Sequence, residues 1–407
     1  MSHFLLLKLC YSVPSMTEQR YLPLLIESWK GNSLLEKEEL FRIAHRVRQI
    51  SRGLTGTREL AGEPYLDDPV SLGAYLCYYW PVSYRTASFL LSNLPISLKK
   101  IDSALDIGAG AGPVTFALID GGVRRVVAWD RSEKALKVLR HIARRRNVSI
   151  QTLVVDLEQR NALPPGPFTL ITLGNLLNEL WKNEPDRIQR RFQFLKSLLS
   201  SLKPDGRIVI LEPALSSISR ELLQVRDLVT SDGELHVEAP CFRQAHCPAL
   251  PEGVCHTEIP WNPPSLVREI GRRARVSDRR SVKTSYLILR PSSSRPPVGS
   301  SPFITDSPEG LPHRVVSDPL ISKSGRVRYL VCGQMGRFSL AADRAQALQS
   351  NRTEDPRRSF SQDPFDLFFS LSRGDVVVFQ NVEKRETGYG IRSGTVLRIL
   401  NREQFPR

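Results

Sequence analysis

Ala104-Leu105-Asp106-Ile107-Gly108-Ala109-Gly110-Ala111-Gly112-Pro113-Val114-Thr115-Phe116 runs from an apolar strand through three alternating glycines into a helix. Glycine lets a backbone turn tightly and come close to a ligand. The helix start beyond it offers unpaired N–H groups and the positive end of the helix dipole. Outward from this stretch, apolar runs at 103–107, 125–129, 152–155, 168–173, 207–211 and 286–289 alternate with helical patterns such as 133–145 and 188–202. Strands alternating with helices predict βαβ units and a parallel sheet. Three successive strand ends carry acids: Asp106, Asp130 after Trp129, and Asp156 after Val155. Asp130 stands at the distance from the glycines that suits a residue gripping ribose hydroxyls. Asp156 is positioned to meet a base amine.

The Asp-x-Gly-x-Gly-x-Gly pattern with these strand-end acids resembles class I S-adenosylmethionine-dependent methyltransferases. That resemblance implies a Rossmann-like α/β domain. It also implies a cofactor site formed by Asp106, Gly108, Gly110, Gly112, Asp130 and Asp156, with Asn175 at the end of the fourth strand. The Gly108–Gly112 spacing departs from the G-x-G-x-x-G of dinucleotide binders, which disfavours NAD. No catalytic residue is legible. The fourth strand ends Thr172-Leu173-Gly174-Asn175-Leu176-Leu177-Asn178-Glu179-Leu180-Trp181. It carries neither the Asn/Asp-Pro-Pro-aromatic motif of amino methyltransferases nor a cysteine nucleophile. Asn175, Asn178 and Glu179 either orient a substrate or cap the next helix.

A second constellation is Cys241-Phe242-Arg243-Gln244-Ala245-His246-Cys247-Pro248, followed by Gly253-Val254-Cys255-His256. Three cysteines in a Pro-rich polar segment have little packing role, and close thiolates suit a metal ion or an iron–sulfur cluster. The spacing is that of neither a common zinc ribbon nor a bacterial ferredoxin. A fourth ligand is needed: Cys332 is the best candidate, with His246 and His256 as alternatives. Cys10 and Cys77 sit in apolar or aromatic surroundings and are expected to be buried spectators.

This cysteine segment, following a methyltransferase-like domain, resembles the Cys-Pro-His-x-x-x-Cys-Pro-Leu…Trp-Cys-His signature of small-ribosomal-subunit assembly factors found in mitochondria and many bacteria. Here Phe242-Arg243 replaces the Pro-His after the first cysteine, Val254 replaces the Trp before the third, and a long Pro-rich insert precedes Cys332. The resemblance covers roughly residues 65–335 and includes Trp80-Pro81-x-Ser83-Tyr84 and Asn178-Glu179-Leu180. It implies a [4Fe–4S] cluster on Cys241, Cys247, Cys255 and Cys332, with zinc as the alternative metal, and S-adenosylmethionine as a second cofactor. It implies a factor bound to small-subunit rRNA and ribosomal proteins, monomeric when free, with or without methyl transfer to rRNA.

Composition is consistent with such a partner. The 407 residues carry 57 Lys plus Arg against 42 Asp plus Glu, a formal charge of +15, with an ordinary 41% hydrophobic content. This excludes a wholly disordered or collagen-like chain, and a basic folded protein points to a polyanion. Arginine and lysine concentrate at 124–146 and 268–283, where they suit phosphate contacts. No stretch reaches the ~20 apolar residues of a membrane span. The opening segment lacks the features of a secretory or transit peptide, so a bacterial cytoplasm is expected, or the mitochondrion if the source is eukaryotic. The expected organisation is a helical region at 1–100 and a methyltransferase-like domain at 101–290 that includes the cysteine loop 239–256. A Pro/Ser-rich linker at 291–325 and a small β-rich domain at 326–407 follow. The aromatic stripe Tyr75, Tyr78, Tyr79, Trp80, Tyr84 and Phe89 reads as core; with Arg85 it could instead line an RNA groove.

Overall fold

The computed structural model describes residues 18–53, 66, 68–159, 166–251, 253–276, 280–294, 308–343 and 363–400. Cys10, the opening segment and Arg279 lie outside them. The chain begins with helices α1 (Leu22–Lys30), α2 (Lys37–Ser51), α3 (Pro69–Ala74) and α4 (Trp80–Ser92). Between α3 and α4 the helix widens into a π-turn, Tyr75–Tyr79. Pro81 supplies no N–H for a helical bond, and Trp80 N–H reaches back to the Tyr75 carbonyl.

The first sheet then forms from β1 (Ser103–Ile107), β2 (Arg125–Asp130), β3 (Gln151–Val154), β4 (Phe168–Gly174) and β5 (Leu202–Pro213), with α5 (Pro113–Asp120), α6 (Glu133–Arg145) and α7 (Arg187–Ser197) between them. After α8 (Ser216–Asp232) come β6 (Leu235–Ala239), β7 (Thr257–Pro260), α9 (Ser265–Ala274) and β8 (Ser281–Pro291). The strand order is β3-β2-β1-β4-β5-β8-β6, with β7 also on β8. Neighbours from β3 to β5 pair in parallel, while β8 is antiparallel to β5, β6 and β7. This is the expected doubly wound, Rossmann-like sheet, extended by a reversed strand. The helix read at 188–202 ends earlier, at Ser197: a 3₁₀ turn follows, and Leu202 already belongs to β5.

The N-terminal helices cover one face of this sheet in a core that includes Trp80, Tyr84, Phe89 and Phe116. The opposite face is packed by Leu195, Leu222 and Val225 of α7 and α8. The aromatic stripe is therefore core. Arg85 is 6% exposed and donates to the Pro260 carbonyl at 2.9 Å, so it does not line an open groove.

A second sheet has its own core around Val331, Phe368 and Phe379. Its strands are β9 (His313–Val315), β10 (Leu320–Ile321), β11 (Arg326–Gly333), β12 (Gly336–Asp343), β13 (Val376–Gln380), β14 (Glu383–Arg385), β15 (Gly388–Gly390) and β16 (Val396–Ile399), with α10 (Pro364–Phe369) before β13. The order is β14-β15-β12-β11-β9-β13-β16, with β10 on β11. Strands β9 and β10 fall within the stretch read as linker. They are too short to leave a periodic signature among the prolines, and β9 takes a central place because its backbone pairs with both β11 and β13.

Asp120, at the end of α5, ties the N-terminal helices to this frame. It accepts from Tyr21 Oη at 2.7 Å and Tyr84 Oη at 2.5 Å, and pairs with Arg146 at 2.8 Å and Arg20 at 2.5 Å. Burial opposes its ionisation, but the two hydroxyls and the guanidiniums outweigh it and hold the carboxyl below its ordinary value. Asp120→Ala is expected to cost about 3 kcal/mol, as for one partner removed from a mostly buried pair. Denaturant unfolding will measure this. Because the folded pKa is lowered, the deficit against wild type is full near neutrality and shrinks as pH falls below about 4.

Candidate functional site

The glycine loop lies where β1 leaves the centre of the first sheet. Asp106 is fully buried and accepts from Thr115 Oγ1 at 2.6 Å and Thr172 Oγ1 at 2.8 Å. The register explains the second bond, since Asp106 pairs across with Thr172 of β4. Burial pushes the Asp106 carboxyl up to about 6; the neighbouring Asp130 charge adds to the rise and the two hydroxyls oppose it. Asp130 Oδ2 accepts from Gly110 N–H at 2.8 Å, and Oδ1 from Ser132 N–H at 2.8 Å. Burial raises its pKa as well.

Gly108, Gly110 and Gly112 all have positive φ, at 70°, 53° and 84°. At Gly108 a Cβ would come within 2.9 Å of Leu176, so the loop packs directly on the segment after β4. A Cβ at Gly110 would meet only Tyr75 Oη, at 3.6 Å, which leaves that backbone open to close approach. Asn175 is exposed, also with positive φ (57°), and its N–H donates to Leu211 O at 2.7 Å. Asp156 is half-buried, with Oδ1 accepting from Glu158 N–H at 3.0 Å. Asp106, Asp130 and the glycines lie together where β1 and β2 end; Asp156 and Asn175 stand just past the ends of the neighbouring strands β3 and β4.

Tyr75, expected in the core stripe, has a second role. It stands in the π-turn, feels the charges of Asp130, Glu179 and Asp106, and forms a wall beside Gly110. Trp80 Nε1 donates to the Ala111 carbonyl at 3.0 Å, so the N-terminal helices brace the loop directly. Glu212, at the end of β5, carries no signature in the sequence. It is 1% exposed, receives Asn178 N–H at 3.1 Å and Asn178 Nδ2 at 2.6 Å, and burial pushes it up to about 8. Asn178 thus serves a buried polar network and does not point to a ligand. Only the tertiary fold reveals either residue.

The four cysteines come together from two sheets. Cys241 and Cys255 stand near the ends of the excursion between β6 and β7, Cys247 between them, and Cys332 on β11. Burial raises the Cys241 thiol to about 12 and Cys332 to about 11; in each case the other thiols raise it further. Cys247, Cys255 and Cys332 all bear electrostatically on Cys241, which places the four in one neighbourhood. Cys241 and Cys255 also line a shared cavity with His256, Tyr286 and Arg314. The backbone is held in place: Cys247 N–H donates to Asp227 at 3.0 Å, and Ser285 Oγ donates to the Cys255 carbonyl at 2.8 Å. Arg226, 1% exposed, donates to the carbonyls of Arg243 and Ala245.

His246 is exposed and pairs through Nδ1 with Asp227 at 2.6 Å. His256 keeps both ring nitrogens buried and without a partner. Among the described residues no three His, Cys, Asp or Glu side chains stand close enough to share a single metal ion. Zinc requires thiolates drawn in to bonds of about 2.3 Å. Four thiols are, as a donor set, what a four-iron cluster takes, one at each iron.

The arginine groups are partly spent on internal pairs. Arg146 pairs with Asp120, Arg145 with Glu27, Arg140 with Glu133, and Arg272 and Arg273 share Glu269. Lys137, Arg144, Arg268 and Arg275 are exposed.

Fold and glycine site together define a class I S-adenosylmethionine-dependent methyltransferase-like protein. The chain belongs to the family described as mitochondrial small ribosomal subunit Rsm22, whose sequence model matches residues 70–342. It is 28% identical to a ribosomal protein L11 methyltransferase of Neisseria gonorrhoeae over 140 residues, 34% of this chain and 42% of that protein. Counterparts from Neisseria meningitidis are 27% identical over the same length. The chain thus spans less than half the length of these curated relatives. Similar solved structures include a ribosomal protein L11 methylase from Lactobacillus delbrueckii subsp. bulgaricus, with TM-score 0.31 and 13% identity, covering 52% of this chain and 77% of that one. Another is a putative RNA methyltransferase from Pyrococcus horikoshii, with TM-score 0.34 and 12% identity, covering 52% and 85%. Among the described residues no helix is long and apolar enough to cross a membrane.

Asp106→Asn separates folding from binding. The raised folded pKa means that wild-type Asp106 favours folding least once pH has risen through about 6. Between pH 4 and 7 the variant should gain roughly 2 kcal/mol on wild type, since each tenfold change in proton affinity is worth about 1.4 kcal/mol and the unfolded carboxyl is already mostly ionised at pH 4. Denaturant midpoints against pH measure it.

Proposed function

We propose that this chain is an rRNA-binding assembly or translation factor of the small ribosomal subunit that carries a structural [4Fe–4S] cluster on Cys241, Cys247, Cys255 and Cys332. The observation that carries the reading is the gathering of these four thiols from two separate sheets, one of them far downstream. In this reading the cluster joins the sheets, shaping the basic surface that meets rRNA and ribosomal proteins. A ligand-bound metal that binds only the folded chain contributes directly to folding free energy. S-adenosylmethionine would lie over Gly108, Gly110 and Gly112, with Asp106, Asp130, Asp156 and Asn175 around it. Bound there, it would supply an activated methyl group. Gly110 leaves room for its approach, and Asp130 has the acceptor oxygens for ribose hydroxyls. The factor would be a monomer when free and would act bound to the small subunit, in a bacterial cytoplasm or a mitochondrion.

An active rRNA methyltransferase is the second reading, favoured by the intact Asp106–Asp130–glycine group and by relatives named for methyl transfer. Two measurements test the pair. An anaerobic optical spectrum with iron, sulfide and zinc analysis should give broad absorbance near ~400 nm and about four irons per chain. Stoichiometric zinc without iron would remove the cluster reading. Gly110→Arg should abolish S-adenosylmethionine binding. If it spares small-subunit assembly while Cys247→Ser destroys it, the factor reading stands; loss of an rRNA methyl group with Gly110→Arg establishes the enzyme.

A further inference from the structure

Arg314 comes from β9 of the second sheet, yet its side chain reaches the first. It is 6% exposed, and Nη1 donates to Tyr286 Oη at 3.1 Å and Nη2 to Thr257 Oγ1 at 3.3 Å. Its guanidinium carbon lies 5.7 Å from the Tyr286 ring centroid. All of these partners are neutral. Arg191 and Arg226, comparably buried, have carboxylates at 2.6 Å, Glu221 and Asp227 respectively. Arg314 has none among the described residues. An isolated charge in a protein interior is costly unless an opposite charge offsets it. The groups near enough to act on this guanidinium once ionised are Tyr286, Cys255 and Cys241, and burial favours the neutral form of the Tyr286 phenol. Arg314 also shares the cavity lined by Cys241, Cys255 and His256.

We propose that Arg314 is the countercharge of the thiolate site: it balances an anionic cluster held by the four cysteines, raises that cluster's reduction potential, and by this attraction holds the second sheet against the first. The inference rests on the cluster reading above. Four thiolates more than offset the charge of an oxidised four-iron core, so the loaded site is anionic and becomes more so on reduction. A fixed cation beside it favours the reduced form. Without the cluster, the same cation is buried and unbalanced, and only its hydrogen bonds to Tyr286 and Thr257 join the sheets there.

The test uses the full chain, reconstituted anaerobically with iron and sulfide, and compares wild type with Arg314→Met and Arg314→Lys. Iron per chain, the midpoint potential from a dithionite titration, and hydrogen exchange of β9 and β11 are read. The electron comes from dithionite, and no bond forms or breaks at the protein. Arg314→Met should shift the one-electron equilibrium toward the oxidised form at least tenfold, a potential lower by about 59 mV. Arg314→Lys should recover most of it. In the cluster-free chain the sign reverses, and Arg314→Met should slow exchange at β9 relative to wild type. Should Arg314→Met take up no iron, recovery by Arg314→Lys supports the charge role, and failure of both variants overturns it. A wild-type protein with four irons and a potential unchanged in Arg314→Met overturns this inference alone. So does Arg314→Met opening the loaded and empty chains alike. A wild-type protein that takes up no iron overturns the cluster reading, and this inference with it.

Discussion

Strand β8 is the constraint on which the cysteine site depends. One edge of it pairs with β5, which fixes it to the parallel sheet. Its other edge receives β6 and β7 in succession, with Ala239 opposite Ile288 and Thr257 opposite Thr284. The chain between them, residues 240–256, leaves and re-enters the same strand only a few residues apart. That pinning brings Cys241 and Cys255 toward each other without any contact of their own. Tyr286 stands at the level of the gap, which is where the guanidinium from the second sheet arrives.

The glycine loop is braced in a comparable way from the other side. Its conformation is local, set by three positive φ angles and by Asp130 accepting the Gly110 N–H. Its surroundings are not local. The π-turn directs Tyr75 toward the pocket, and Trp80 holds the Ala111 carbonyl from the helix that follows. The N-terminal helices are thus a wall of the site as well as a cover for the sheet. Asp120 keeps them there through two tyrosines and two arginines.

What was legible in the sequence follows the range of the interactions. The Asp106–Gly112 stretch could be read because strand, turn and helix start lie within a dozen residues. The strand spans matched for the same reason, since apolar runs at β1, β2 and β4 are continuous where both faces of the sheet are covered. The cysteines at 241, 247 and 255 announced themselves by clustering in one Pro-rich segment, whereas Cys332 could be offered only as one of three candidates, because it lies far downstream on the second sheet. Arg314, Glu212 and Tyr75 were beyond reach: a buried charge or a pocket wall is defined by its neighbours, and theirs come from other elements. Several of the arginines read as phosphate contacts in the 124–146 run proved to be internal partners of acids, some distant in sequence, such as Arg146 with Asp120 and Arg145 with Glu27.

The order of the four cysteines along the chain sets an order of events during synthesis. Domains emerging from a ribosome fold from the N-terminus as units. Every strand of the first sheet has been made by Pro291, and Cys241, Cys247 and Cys255 have been made with it. The last thiol follows on β11, after β9 has delivered its arginine. On the ribosome the first sheet is therefore complete in sequence while Arg314 and Cys332, which lie on the second, have yet to be made.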